Sequence, residues 1–118
     1  MKIEILVAAH KEFPMPKKEG YLPVLVGAVK NYKPGISYQR DDDGENISSK
    51  NPNYNELTAV YWAWKNLKDV DAIGLVHYRR LLFDKRPYSL DNVISIDKVN
   101  QLLQKYDVIL PKKRNYYI

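Results

Sequence analysis

The run Ala72 to Val76, "AIGLV", is apolar without a break and passes straight into His77, Tyr78, Arg79 and Arg80. A continuous apolar strand suits the centre of a parallel sheet covered on both faces, so helices are required on either side and the fold class is α/β. The four polar residues then emerge at the carboxyl end of that strand. Ligands of open α/β sheets bind beyond such ends.

The rest of the chain supplies the elements this architecture needs. In Lys2 to Ala9, Ile3, Ile5 and Val7 alternate with Lys2, Glu4 and Leu6, which predicts a strand inside the sheet. Lys11 to Gly35 is punctuated by Pro14, Pro16, Gly20, Pro23, Gly27 and Pro34, and reads as a long loop with one short apolar piece, Leu22 to Val29. Tyr38 to Lys50 is almost wholly polar, and predicts a segment that is exposed or ordered by a ligand. A helix follows, capped by Asn51 with Pro52 in its first turn or by Asn53 with Glu56 as a capping box. Leu57, Val60, Tyr61, Trp64 and Leu67 form its apolar stripe. Asp97 caps a second helix through Lys105, with Val99, Leu102 and Leu103 inward, and Asp107 to Leu110 reads as a last strand stopped by Pro111. This order implies right-handed crossovers and a mostly parallel, Rossmann-like sheet. Ala8 to Lys11, His77 to Arg80 and Pro111 to Arg114 all fall at its ligand-binding rim.

A chain of 118 residues accommodates one domain with a modest core. With no cysteine it has no disulfide, thiol nucleophile or thiolate metal site, which agrees with a cytoplasmic setting. Glu4 interrupts the first apolar run, which therefore reads as a strand rather than a signal peptide, and no stretch is long enough to span a membrane. The net charge of +5 favours anionic partners. The basic residues lie in separate clusters, at Lys17 and Lys18, Arg79 and Arg80, Lys85 and Arg86, and Lys112 to Arg114.

Two guanidinium groups at a strand end can grip phosphate oxygens, and a diphosphate is the natural ligand. The plainer alternative pairs Arg79 and Arg80 with Asp71 or Asp84 and makes His77 a hydrogen-bonded core residue. Asp41, Asp42, Asp43 and Glu45 lack the glycine and glutamate spacing of a calcium loop. They read as a solvated loop, with Asp41-x-Asp43 only a formal match to a metal-holding Asp-x-Asp. Trp64 lies on the helical stripe and reads as core; Trp62 lies off it, and packs against a neighbouring element or stacks on a ring.

"KIEILVAAHKEF", "ENISSKNPNYNELTAVYWAWKN", "DAIGLVHYRRLLF" and "YDVILPKKRNYYI" together resemble the bacterial capsular and exopolysaccharide biosynthesis glycosyltransferases, formerly classed as a domain of unknown function. The resemblance covers nearly the whole chain. Members are about twice as long, so it implies an N-terminal, donor-binding half with a GT-A-like nucleotide-binding fold. It implies transfer of a sugar from a nucleotide-sugar, usually a UDP-sugar, to a growing or lipid-linked glycan. Carried over by motif position, the donor-binding residues are His10, Asn46, Ser48, Tyr61, His77, Tyr78, Arg79 and Arg80. Glu56 and Asp84 are the carboxylates available as catalytic base.

In metal-dependent GT-A enzymes an Asp-x-Asp ends a central strand, where this chain has His77-Tyr78-Arg79. The expected chemistry is therefore cation-assisted and metal-independent, with Mn²⁺ or Mg²⁺ as the alternative. Peripheral contact with the inner face of the membrane fits lipid-linked acceptors. The competing class is an inactive nucleotide-binding module, or a nucleic-acid-binding one using Lys112, Lys113, Arg114, Tyr116 and Tyr117. No RNA-binding sheet motif or recognition helix supports the latter.

Overall fold

The structure is a computed structural model that describes residues 1–112. Four parallel strands form one sheet in the order β3-β2-β1-β4, where β1 is Ile3–Ala9, β2 Tyr21–Leu25, β3 Gln39–Arg40 and β4 Ala72–His77. Helices α1 (Ala28–Asn31), α2 (Asn51–Tyr54), α3 (Leu57–Asn66) and α4 (Ile96–Leu103) complete the described elements. The α/β class and the parallel sheet inferred from the strand and helix order are therefore present.

The period-two side-chain alternation of β1 separates two cores. Ile3, Ile5, Val7 and Ala9 face Val76, Tyr78, Ile94 and Val99 of α4. Leu6 and Ala8, with Val24 and Val26, face Ala59, Trp62 and Ala63 of α3. Buried except at partly exposed Glu4 and paired on both sides, β1 lies inside the sheet beside β2.

The segment 11–35 contains a strand that its prolines concealed. Gly20 accepts from the Ile5 N–H and Val26 donates to Ala9, so residues of that parity on β2 face β1. Pro23 has the opposite parity and faces the β3 side, where pairing begins only at Val24. Its missing N–H therefore interrupts no ladder bond.

The position of β4 differs from expectation. It pairs with β1 from Ala72 to His77 but is an edge strand among the described residues, with Ile73 44% and Leu75 40% exposed. Residues 107–110 run beside it across an apolar cavity of about 500 Å³ without forming the expected strand, although Ile109 packs on the core. The cap of α4 is Ser95, whose hydroxyl accepts from the Lys98 N–H, while Asp97 lies in the first turn.

The helical face is also rotated from the apolar stripe. Thr58, Ala59, Trp62 and Ala63 are buried, whereas Leu57 is exposed and Trp64 is 67% exposed. Two alanines let α3 approach the sheet closely, and Trp62 fills the flank with its indole N–H donating to the Asp43 carbonyl at 2.7 Å. Small residues thus define the contact face. Among the described residues, no helix is long and apolar enough to cross a membrane.

Candidate functional site

Three strand-end and helix-start segments converge where the sheet's carboxyl edge meets α2 and α3. Ala9 ends β1 and delivers His10; β4 ends at His77, level with the next turn. From the helical side come Asn51, Asn55 and Glu56. Asn55 has a left-handed backbone (φ 51°) that separates α2 from α3, and its carbonyl accepts from the Asn51 side-chain amide at 2.8 Å. That break sets Glu56 at the mouth of α3. His10, Asn51, Asn55, Glu56 and His77 line one cavity of about 180 Å³.

His77 Nδ1 accepts from the Arg79 N–H at 3.2 Å, so the neutral ring carries its proton on Nε2. Burial lowers the His77 pKa, with His10, Arg79 and Arg80 acting in the same direction and Glu56 opposing them. The chain then turns tightly, Arg80 N–H donating to the His77 carbonyl at 2.8 Å. Arg79 and Arg80 are exposed, with the Arg79 guanidinium 5.5 Å from the Tyr78 ring centre. Neither Asp71 nor Asp84 pairs with Arg79 among the described residues. Tyr78 itself is buried, its ring in contact with His10 and His77.

Residues 4–118 match the family described as a domain of unknown function, DUF4422. The chain belongs to that family. A similar solved structure is the apo form of WbbM, described as a bifunctional glycosyltransferase, 38% identical with a TM-score of 0.66. The match covers 75% of this chain and 16% of that one. No curated protein matches.

Within this DUF4422 domain the other motif residues sit elsewhere. Asn46 donates to the Asp42 and Gly44 carbonyls and accepts from the Ser48 N–H, so it pins its own loop. Ser48 is buried, accepting from the Val29 N–H and donating to Asp41. The Tyr61 hydroxyl donates to Glu45, a bond that raises its pKa. Asp84 is exposed, and its charge acts on Tyr21 rather than on the cavity. Lys113, Arg114, Tyr116 and Tyr117 lie outside the described residues.

The loop expected to be solvated is organised by a buried carboxylate. Asp41 is completely inaccessible and takes hydrogen bonds from the Gly27 and Ala28 N–H groups and from the Ser48 and Thr58 hydroxyls. Asp41-x-Asp43 therefore has no first carboxylate to offer a metal, and among the described residues no three His, Asp or Glu side chains group as metal ligands. As site residues Asn51 and Asn55 were missed, because Asn51 reads from the sequence only as a helix cap and Asn55 carries no motif of its own; the signal was the position of Asn55 immediately before Glu56.

Proposed function

We propose that the chain is the donor-binding part of a glycosyltransferase that passes a sugar from a nucleotide-sugar, a UDP-sugar first, to a growing capsular, exopolysaccharide or O-antigen glycan. One observation carries this reading: His10, Glu56 and His77 share a cavity at the carboxyl ends of adjacent parallel strands, with Arg79 and Arg80 exposed beyond it. The likeness to WbbM, described as a glycosyltransferase, supports it.

In this reading the donor diphosphate lies against Arg79 and Arg80. Cleavage of the bond between the anomeric carbon and the β-phosphate oxygen leaves its electron pair on that oxygen, and fixed guanidinium groups offset the growing charge without a metal. His77, neutral and protonated on Nε2, donates a hydrogen bond to the donor. Glu56 receives the proton of the acceptor hydroxyl as the new bond forms. In this reading a lipid-linked acceptor would bring the reaction to the cytoplasmic face of the membrane.

The test is thermal denaturation with UDP, UDP-sugars and non-uridine nucleotides, in EDTA and in Mn²⁺, for the wild type and Arg79→Ala. Stabilisation selective for uridine diphosphates, unchanged by EDTA and lost in the variant, is the expected result. A response that appears only with Mn²⁺ would overturn the metal-free mechanism, and no response to any nucleotide would overturn donor binding by this chain.

A further inference from the structure

Phe13 lies four residues beyond β1 and remains 38% exposed, yet it is firmly held. The Tyr38 hydroxyl accepts from the Phe13 N–H at 2.9 Å and donates to the Phe13 carbonyl at 2.6 Å. The Phe13 ring centre is 4.7 Å from that of buried Tyr78, which in turn stands 5.6 Å from His10 and 4.3 Å from His77. An unbroken row of rings therefore leads from the cavity of His10, Glu56 and His77 out to Phe13. There the surface opens into a groove of about 730 Å³, with Phe13, Pro14, Met15 and Tyr38 on its apolar side and Glu12 and Lys17 as charged groups.

Burial does not explain this arrangement, because Phe13 stays exposed while a tyrosine fixes both polar atoms of its backbone. A rigid aromatic face offers contact area at small conformational cost. Its negative π surface attracts the weakly positive C–H groups on the apolar face of a pyranose or furanose ring. Charged groups at the groove's edge are suited to sugar hydroxyls. An acceptor must bring its hydroxyl to within about 3–3.5 Å of the donor's reacting carbon, so its binding site has to adjoin the donor cavity. The ring row supplies that continuity.

The geometry points to this groove as the subsite for a sugar ring of the acceptor glycan, with Phe13 as its stacking platform; the inference rests on the glycosyl-transfer reading of the adjoining cavity. The experiment is ligand-observed saturation-transfer NMR with methyl pyranosides of glucose, galactose, mannose and N-acetylglucosamine, on the wild type, Phe13→Ala, Phe13→Tyr and Trp64→Ala, each shown to be folded by its melting transition. At least one glycoside gives signal with the wild type, falls threefold or more in Phe13→Ala, and persists in Phe13→Tyr and in the control at exposed Trp64. Equal signal in Phe13→Ala, or none in the wild type, overturns the inference. UDP-induced thermal shifts on the same proteins separate the two readings. A UDP response without glycoside signal leaves donor binding and removes the sugar platform, whereas Phe13-dependent glycoside signal without nucleotide response sustains the platform and removes the donor site. Loss of the UDP response in Phe13→Ala with glycoside signal intact would assign the ring to the nucleotide base and overturn the inference.

Discussion

Replacing Asp41 by Asn changes one atom and should remove a large part of this domain's stability. In the native protein each carboxylate oxygen takes one backbone N–H and one hydroxyl: Oδ2 from Gly27 at 2.8 Å and Thr58 at 2.7 Å, Oδ1 from Ala28 at 3.0 Å and Ser48. An amide nitrogen in place of either oxygen can still pair with the hydroxyl, which rotates to accept. It cannot pair with the backbone N–H, which has no such freedom. One charge-assisted bond of roughly 1.5–3 kcal/mol is lost, and a buried donor left unsatisfied costs about 1–3 kcal/mol more. The surviving bonds weaken as the charge disappears. Relief from burying a charge offsets part of this loss, leaving a net destabilisation of about 3 kcal/mol, against a whole-domain stability of roughly 5–15 kcal/mol. Urea denaturation at pH 7 reads it directly: with an m-value of about 1–3 kcal/mol/M, the midpoint should fall by about 1–3 M at unchanged slope. Asp43→Asn, at an exposed carboxylate two residues on, should stay within about 0.5 kcal/mol. An Asp41→Asn midpoint indistinguishable from the wild type would refute the four-donor account.

Trp62→Ala should cost about 3–5 kcal/mol, because it empties a core site and orphans the Asp43 carbonyl. Trp64→Ala should cost no more than about 1 kcal/mol, the contact with Lys65 at 3.7 Å being solvent-exposed; reversed costs in urea melts would restore the apolar stripe as the buried face. For His77 the folded pKa lies below the ordinary 6.5, so the unfolded chain binds more protons between the two values. Stability is then complete above 6.5 and declines as pH falls through that window; His77→Gln should flatten this slope in pH-dependent melts, and an unchanged slope would contradict the assignment. Burial, and secondarily Asp84, raise the Tyr21 pKa from 10.0 to about 12. The neutral phenol therefore stabilises the fold below pH 10, a contribution lost as pH rises towards 12. In a spectrophotometric titration the Tyr21 phenolate should ionise towards pH 12, and Tyr21→Phe should reduce the late absorbance change by one phenolate.

The sheet was legible because its information is local and periodic. Strand β1 announces two faces by alternation, and both faces are occupied as the pattern requires. The apolar run of β4 correctly marked a parallel strand, but its hydrophobicity could not distinguish a central position from an edge. Pairing on both sides belongs to β1 and β2. Prolines hid β2, since only the register shows that Pro23 faces away from the ladder with β1. For α3 the apolar stripe failed because counting large residues overlooks what allows a helix to approach: Ala59 and Ala63 make the closest surface, and Trp62 packs beside them.

The same contrast explains why the candidate site was partly readable while its support was not. Strand ends in a parallel sheet are fixed by topology, so His10 and His77 had to be neighbours once β1 and β4 paired in register. The support depends instead on burying a charge, which composition argues against: four acidic residues in a polar loop describe a solvated surface unless specific donors surround one of them. Here two N–H groups of the turn into α1 and two hydroxyls from different segments do so. Thr58 joins that carboxylate to α3 only two residues after Glu56, while Asn51 bonds to both Asn55 and Thr58. Asp41 thus acts on the cavity through Thr58 and Asn51. An Asp41→Asn protein kept folded at low temperature should therefore lose UDP-dependent stabilisation even though no ligand touches residue 41. Full retention of that stabilisation would separate the buried network from the site.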